Sequence, residues 1–105
     1  RGGRIRMVTL TVKELAKNFS NDNKAGEILF EQLKSYFYTD TVVTVSFAGI
    51  SEVSSSFVNS AFINLLSYYD FNHIKSQLKI VNSTKQINDL IKQRFSFEIS
   101  RQITV

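Results

Sequence analysis

The spacing of apolar residues switches several times along the chain between every second position and every third or fourth position. Alternating or continuous apolar residues indicate strands, whereas apolar residues that recur at helical spacing indicate amphipathic helices. The first alternation runs from Ile5 to Val12 and predicts a half-exposed strand near a sheet edge. The run from Thr41 to Phe47 is β-branched and apolar on both faces, which is typical of a central strand covered on two sides.

A helix is predicted between these two strands, from Lys24 to Tyr38. Its apolar face comprises Gly26, Leu29, Phe30, Leu33 and Phe37. Glycine lowers helix propensity, so its place on this face predicts close approach of a neighbouring backbone. Before the helix, the sequence predicts a short helical turn over Lys13 to Phe19 and a loop over Ser20 to Asn23.

The stretch from Thr41 to Tyr69 carries one formal charge, Glu52, and is the part around which the rest is organised. Gly49 marks a turn after the central strand. Three consecutive serines follow, and apolar residues recur at helical spacing behind them: Val58, Ala61, Phe62, Leu65 and Tyr69. Ser54, Ser55 and Ser56 are therefore predicted at a helix start, where hydroxyls cap free backbone amides and negative charge is favoured.

The second half of the chain predicts two further strands and one further helix. We expect a connection over Asp70 to Gln77, a strand over Leu78 to Val81, and cap residues at Asn82, Ser83 and Thr84. The next helix has a buried stripe formed by Ile87, Leu90, Ile91 and Phe95. Alternation from Phe97 to Val105, broken at Arg101, predicts a last strand or an extended tail at an edge.

This alternation of strands and helices predicts an α/β fold with a mixed, mostly parallel sheet of about four strands flanked by helices. An unpaired C-terminal strand would invite pairing with a second copy, so a homodimer through that strand is expected. The length of 105 residues suits one domain, assigned to residues 7–105. Residues 1–6 are either a segment added before a natural start at Met7 or a native basic arm.

Composition limits the classes of function. The chain has no cysteine, which excludes disulfides and thiolate metal sites and favours a reducing cytoplasm. No apolar run reaches the length of a membrane span, and no signal peptide is visible. The net charge of +4 suggests nucleic acid as an alternative partner, but Arg1, Arg4 and Arg6 precede Met7 and the remaining chain is nearly neutral.

Candidate chemistry is sparse. His73 is the only imidazole and follows the far end of the serine-capped helix, so a Ser-His catalytic pair is not expected, and His73 is interpreted as an exposed loop residue. One histidine and scattered carboxylates give no metal-ligand spacing. No phosphate-binding glycine motif is present. We therefore expect no enzymatic activity, no metal and no cofactor, and chemistry done on the serines rather than by them.

The segment VSFAGISEVSSSFVNSAF resembles the signature of the bacterial STAS-like family of unknown function. The resemblance is most specific over Val43 to Leu66. That family is similar to the STAS domains of anti-sigma factor antagonists, in which a kinase with a histidine-kinase-type ATPase fold phosphorylates a serine at the helix start. Phosphorylation breaks the complex with the kinase.

By position, the resemblance implies that Ser56 is the phosphoacceptor. The antagonists have Asp at the position of Ser54, usually Gly at that of Phe57, and an acidic residue at that of Ser46. The resemblance thus implies a regulatory, protein-binding module with an ATPase as its partner. The expected partner contacts are Gly49, Glu52, Ser54, Ser55 and Phe57.

Overall fold

Strands and helices alternate along the chain in the computed structural model, which describes residues 6–15 and 23–103. The strands are β1, Arg6–Thr11, β2, Thr41–Ser46, and β3, Leu78–Val81. The helices are α1, Val12–Leu15, α2, Asn23–Tyr38, α3, Ser55–Ala61, α4, Phe71–Gln77, and α5, Lys85–Ile103, and a 3₁₀ helix spans Ile63–Ser67 after α3. The first three predicted strands and the helix before β2 are therefore confirmed to within a few residues.

The described strands form a sheet in the order β1-β2-β3, and both pairs are parallel. Val43 of β2 pairs with Val8 of β1 and with Leu78 of β3. The parallel sheet flanked by helices and the central place of β2 are confirmed. The expectation of about four strands is not met in the described part of the chain, where three strands are found.

The two faces of β2 are buried to different extents. Val43 and Val45, which point to one face, are fully buried, whereas Val42 and Thr44 on the other face are half-buried. The strand neighbours of Thr44, which are Thr9 and Lys79, are exposed. Ser46, on the same face as Val42 and Thr44, is buried. The second face is therefore covered only in part by the described residues.

Helix α2 supplies much of the core. Its buried residues are Ala25, Gly26, Leu29, Phe30, Leu33 and Phe37, which include the whole predicted face. Burial of one large aliphatic or aromatic side chain contributes about 1.5 to 3 kcal/mol, so this stripe is a major part of what fixes α2 against the rest of the fold. Gly26 lies against α3, as its position on the buried face predicted.

The helix that follows the serines is shorter than its apolar spacing suggested. It ends at Ala61, and the chain continues through Phe62 as a 3₁₀ helix with Leu65 buried. Phe62 is itself fully buried between the two segments. The tighter 3₁₀ geometry changes the spacing of the side chains, so a stripe read as one α-helix is divided between two helical segments.

Residues 70–77 were expected to form a polar connection, and this prediction is wrong. Asp70 caps α4, since its carboxylate accepts a 2.8 Å hydrogen bond from the backbone N–H of His73. Ile74 and Gln77 are the buried residues of this helix. Two buried positions in seven residues are too few to show helical spacing in the sequence. Asp70, a preferred N-cap residue, is the sequence feature that indicates the start of this helix.

The predicted last strand over Phe97 to Val105 is also wrong, because α5 continues to Ile103. Phe95 is buried and Ile99 packs against the core one turn later, whereas Phe97 is exposed. Glu98 pairs with Arg94 and with Arg101 at helical spacing, at 3.3 Å and 3.4 Å. The homodimer expected through a C-terminal strand consequently loses its structural basis.

Candidate functional site

The loop between β2 and α3 begins with a tight turn at the end of the central strand. The N–H of Ile50 donates a 2.9 Å hydrogen bond to the carbonyl of Phe47, and Gly49 has φ +82°. That conformation suits glycine, because a Cβ would be strained there. A Cβ at Gly49 would also lie 3.1 Å from Cδ of Lys13, so the Lys13 side chain runs alongside this turn.

The three serines have different surroundings at the start of α3. Ser54 is the N-cap: its hydroxyl accepts a 3.1 Å hydrogen bond from the N–H of Phe57, and its side chain is half-buried. Ser55 and Ser56 are the first two residues of the helix and are exposed. The serine cluster therefore lies on the surface at a helix start fed by the central strand, as predicted.

The loop is anchored by buried side chains at two points. Ile50 and Val53 are buried in the core, whereas Gly49, Ser51 and Glu52 are exposed around them. The exposed residues are thus presented by a backbone whose neighbours are packed. This combination fits a preformed binding surface, because little ordering is needed when a partner docks.

Two residues after β3 hold the same loop by hydrogen bonds. The side-chain amide of Gln86 accepts from the N–H of Val53 at 3.0 Å and donates to the carbonyl of Val53 at 3.1 Å. The hydroxyl of Thr84 donates to the carbonyl of Ser51 at 2.7 Å and also accepts from the N–H of Ile87 at the start of α5. Helix α5 and the loop are thereby joined across 33 residues of sequence.

Sequence reasoning did not find Gln86 and identified Thr84 only as a helix cap. Neither residue lies near the loop in the sequence, and a glutamine at an exposed helical position is ordinary. The parallel pairing of β2 with β3 brings them together, since the carboxyl ends of neighbouring parallel strands lie at one edge of the sheet. Their loops then meet there.

Ser46 and Asn82 connect the ends of the same two strands. The hydroxyl of Ser46 is within 3.3 Å of the N–H of Ala48 and 3.0 Å of the side-chain amide of Asn82, and both groups donate to it. Ser46 is buried, and Asn82 has φ +54°. At the position where the antagonists have an acid, this chain therefore has a hydroxyl that fixes the strand ends.

Phe57 does not lie where the sequence placed it. It was expected to contact a partner, but its side chain is fully buried, with ring centroids 6.2 Å from Phe47 and 6.4 Å from Phe62. Its helical position turns it toward the core, while Ser55 and Ser56 face outward. Phe57 therefore supports the site from beneath and leaves Ser56 uncovered.

The remaining predicted residues form one nearly uncharged surface. Gly49, Glu52, Ser55 and Ser56 are exposed on the segment between β2 and α3, and Ser54 is half-buried among them. Glu52 is the only charged residue in this segment. The arrangement supplies hydroxyls and backbone groups, which can bind a partner surface or accept a phosphate.

His73 is neither in a loop nor freely exposed. It lies in α4, half-buried, with its ring stacked on Tyr69 at 4.8 Å and edge-on to Phe37 at 6.2 Å. Its Nε2 atom is buried and has no hydrogen-bond partner among the described residues. The expectation of an exposed loop histidine is corrected by these contacts, which hold His73 among aromatic rings and not beside the serines.

Other classes of site have little support in the described part of the chain. Within residues 6–15 and 23–103, no three His, Asp or Glu side chains are grouped so that they could hold a metal ion. No helix of the described segments has the length and apolar character needed to cross a membrane. Arg1 and Arg4, on which the nucleic-acid alternative depends, lie outside the described residues, and Arg6 is exposed at the start of β1.

The comparisons with known proteins give one match. Residues 25–88, more than half of the chain, match the family described as "STAS-like domain of unknown function (DUF4325)". The matched segment begins in the first turn of α2 and includes β2, the three serines, α3, α4 and β3. No curated protein and no solved structure gave a significant match.

Proposed function

Because the chain belongs to the family of STAS-like domains of unknown function, we propose that it is a non-enzymatic regulatory module that binds a protein partner. The binding surface is the segment from Gly49 to Ser56, which we name the serine loop. Ser56 is the candidate phosphoacceptor, and Gly49, Glu52, Ser54 and Ser55 are contacts. Phe57 belongs to the support of this surface, not to the contacts.

One observation carries this proposal: Ser56 is exposed at the start of α3, on a loop whose backbone is fixed by Gln86 and Thr84. A loop fixed in this way keeps the same shape with and without a partner. Residues on loops held by a rigid scaffold are the usual carriers of binding function. The exposed hydroxyl of Ser56 is accessible to a modifying enzyme.

The proposed partner is an ATPase of the histidine-kinase type, and the support for it is the resemblance to anti-sigma factor antagonists. In those proteins the serine at the corresponding helix start is phosphorylated by such an ATPase. The same surface then serves as both docking site and substrate.

A phosphate on Ser56 would change the serine loop electrostatically. It would add about −1.5 to −2 charges at neutral pH to a segment whose only charged side chain is Glu52. A partner that packs closely on the unmodified loop would have to desolvate this charge next to a carboxylate. The modified form is therefore expected to bind more weakly, which makes Ser56 a switch.

The proposal is tested by incubating the protein with ATP and the histidine-kinase-type ATPase encoded nearest to its gene. Mass spectrometry of the intact protein and of its peptides then locates any added phosphate. We expect one phosphate on Ser56, and none on the Ser56→Ala variant. Phosphate on another serine, or none with an active ATPase, would overturn the assignment of Ser56.

Binding is measured separately by calorimetry with the same ATPase. We expect Ser56→Asp to weaken binding and Ser56→Ala to retain it, because the aspartate adds a charge and the alanine does not. Ser67→Asp is the matched control, since Ser67 is exposed on the 3₁₀ helix away from the serine loop. Equal binding by wild type and Ser56→Asp would exclude a switch at this residue. Binding through the serine loop without a switch would remain compatible with that result.

A further inference from the structure

A second candidate docking surface lies at the outer edge of the sheet, between β3 and helices α4 and α5. It is a groove of about 410 Å³. Its apolar lining comes from all three elements: Phe71, Leu78, Ile80, Ile91, Phe95 and Ile99. Phe71 and Phe95 form part of it as a ring pair with centroids 5.2 Å apart.

The groove exists because the core beneath the sheet covers the side chains of β2 completely and those of β3 only in part. Val43 and Val45 of β2 are fully buried. Their partners in the ladder, Leu78 and Ile80, point to the same face but are only half-buried. A fourth strand beside β3 would cover these two side chains and would rest on Phe71, Phe95 and Ile99.

The backbone at this edge is also open to pairing. β3 is an outer strand of the sheet, and no described strand pairs with its second edge. The N–H of Leu78 already donates to the carbonyl of Ile74, and the carbonyl of Val81 faces β2, where it accepts from Phe47. The groups open to pairing on the outer edge are therefore the carbonyl of Leu78 and the N–H and carbonyl of Ile80. Extended peptides add to edges of this kind, with main-chain hydrogen bonds for affinity and alternate side chains in pockets for specificity.

The charges around the groove select the kind of strand that fits. Lys75 and Lys92 line it, and Lys79 is exposed on β3 itself. None of these three lysines takes part in an ion pair with another described residue. None of the described residues that line the groove is acidic. A complementary segment therefore carries carboxylates beside its apolar positions.

We propose that this groove and the free edge of β3 bind an extended acidic segment of another protein. The segment pairs with β3 as an added strand. Every second side chain is apolar and enters the groove, and a carboxylate at an intervening position faces Lys79 on the opposite side of the sheet. Carboxylates that flank the apolar run reach the exposed Lys75 and Lys92 at the margin of the groove. This second surface does not depend on Ser56 or on the identity of the partner at the serine loop.

A second copy of this chain is a poorer occupant on grounds of charge. The other outer strand of the sheet is β1, which begins with Arg6 and contains no acidic residue. β3 carries Lys79, so two β3 edges would bring like charges together. Like charges facing each other across paired strands are destabilising.

The test is a selection of displayed random ten-residue peptides on the wild-type protein, followed by fluorescence anisotropy with the selected peptides. We expect peptides with alternating apolar residues and several carboxylates. The double variant Lys75→Glu/Lys92→Glu should bind them about tenfold more weakly. Each exposed lysine is expected to contribute a small electrostatic attraction, and the loss of two such contributions gives a change of this size. Lys24→Glu/Lys85→Glu, with the same net charge, is the control and should bind them like wild type.

Peptides methylated on backbone nitrogens distinguish an added strand from a bound helix. In a strand, successive N–H groups point to opposite edges, so only one of the two alternate methylation patterns removes hydrogen bonds to β3. We expect one pattern to abolish binding and the other to leave it nearly unchanged. Loss with both patterns would indicate a helix and would overturn the proposal.

Two further results would also overturn it. The first is selection of peptides that lack carboxylates or that bind Lys75→Glu/Lys92→Glu as well as wild type. The second is a wild-type dimer, seen by sedimentation, that Lys75→Glu/Lys92→Glu dissociates, since the groove would then be filled by a second copy. Thermal unfolding of both double variants checks that these exposed substitutions leave the fold intact.

Discussion

Gly26 of α2 and Phe57 of α3 touch through their backbones. A Cβ built on Gly26 would lie 2.6 Å from the carbonyl oxygen of Phe57 and 2.7 Å from Cβ of Ser60. Both distances are too short for real atoms, so only glycine permits this separation of the two helices. The contact sets the position of α3, and with it the position of Ser55 and Ser56.

Gly26→Ala should therefore destabilise the protein. The added methyl group must push α2 away from the backbone of α3, and overpacking of this kind costs about 1 to 3 kcal/mol, more than the gain in helix propensity from alanine. Urea unfolding measures the change in the free energy of unfolding. Glu27→Ala, at the exposed neighbouring position, is the control and should change it little. Equal stability of Gly26→Ala and wild type would contradict the close contact.

Ser54→Ala should lower stability by about 1 kcal/mol through loss of the N-cap of α3. Ser54→Asp should retain most of the stability, because a carboxylate also accepts the hydrogen bond from the N–H of Phe57. Ser55→Ala, one residue later and exposed, is expected to stay within about 0.5 kcal/mol of wild type. If Ser55→Ala were the more damaging change, the cap would have been assigned to the wrong serine.

Phe57→Ala should be among the most destabilising substitutions, at about 3 to 5 kcal/mol, because it leaves a cavity beside Phe47 and Phe62. Phe97→Ala is the matched control. Phe97 is 53% exposed, and its ring lies beside Arg94 and Arg101. Its loss should cost no more than about 1 kcal/mol. Thermal unfolding measures the loss of stability in both variants. Equal losses would contradict the burial of Phe57 in the core.

Gln86→Glu should loosen the serine loop. The carboxylate can still accept from the N–H of Val53, but it cannot donate to the Val53 carbonyl and instead places negative charge against it. Amide hydrogen exchange at residues 51–54 is expected to accelerate, with little change in the core strands. Gln93→Glu, exposed on the same helix, supplies the control. Unchanged exchange in Gln86→Glu would mean that this side chain does not hold the loop.

Much of the fold could be predicted from the sequence because its strands are strongly patterned. The β-branched run that became β2 and the apolar face of α2 leave few alternatives, and Gly26 on that face already indicated the contact with α3. The position of the serines followed from the same pattern, since three cap residues stand between a strand and a helical stripe. These features depend on local spacing, which a sequence displays directly.

The errors arose where local spacing allowed two interpretations. Phe95, Phe97 and Ile99 alternate like a strand, but Phe95 and Ile99 are also one helical turn apart, and Arg94, Glu98 and Arg101 form ion pairs across helical turns. Extending a helix that has already begun adds one hydrogen bond per residue, whereas a strand needs a partner strand. The helical alternative therefore prevails at the end of α5.

The support of the candidate site could not be predicted in the same way. Gln86 reaches Val53 only because β2 and β3 pair in parallel and bring their following loops to one sheet edge. The burial of Phe57 depends on which way the first turn of α3 faces, and that direction is set by packing against Phe47 and Phe62. Both are properties of the assembled fold rather than of any one segment.

The central claim, that the serine loop is the regulated binding surface, is tested most directly by amide hydrogen exchange of this protein with and without the ATPase. The account predicts that protection is concentrated in residues 48–57, and that Ser56→Asp reduces it while Ser67→Asp does not. Protection confined to other elements, or none with an ATPase that is folded and active, would contradict it.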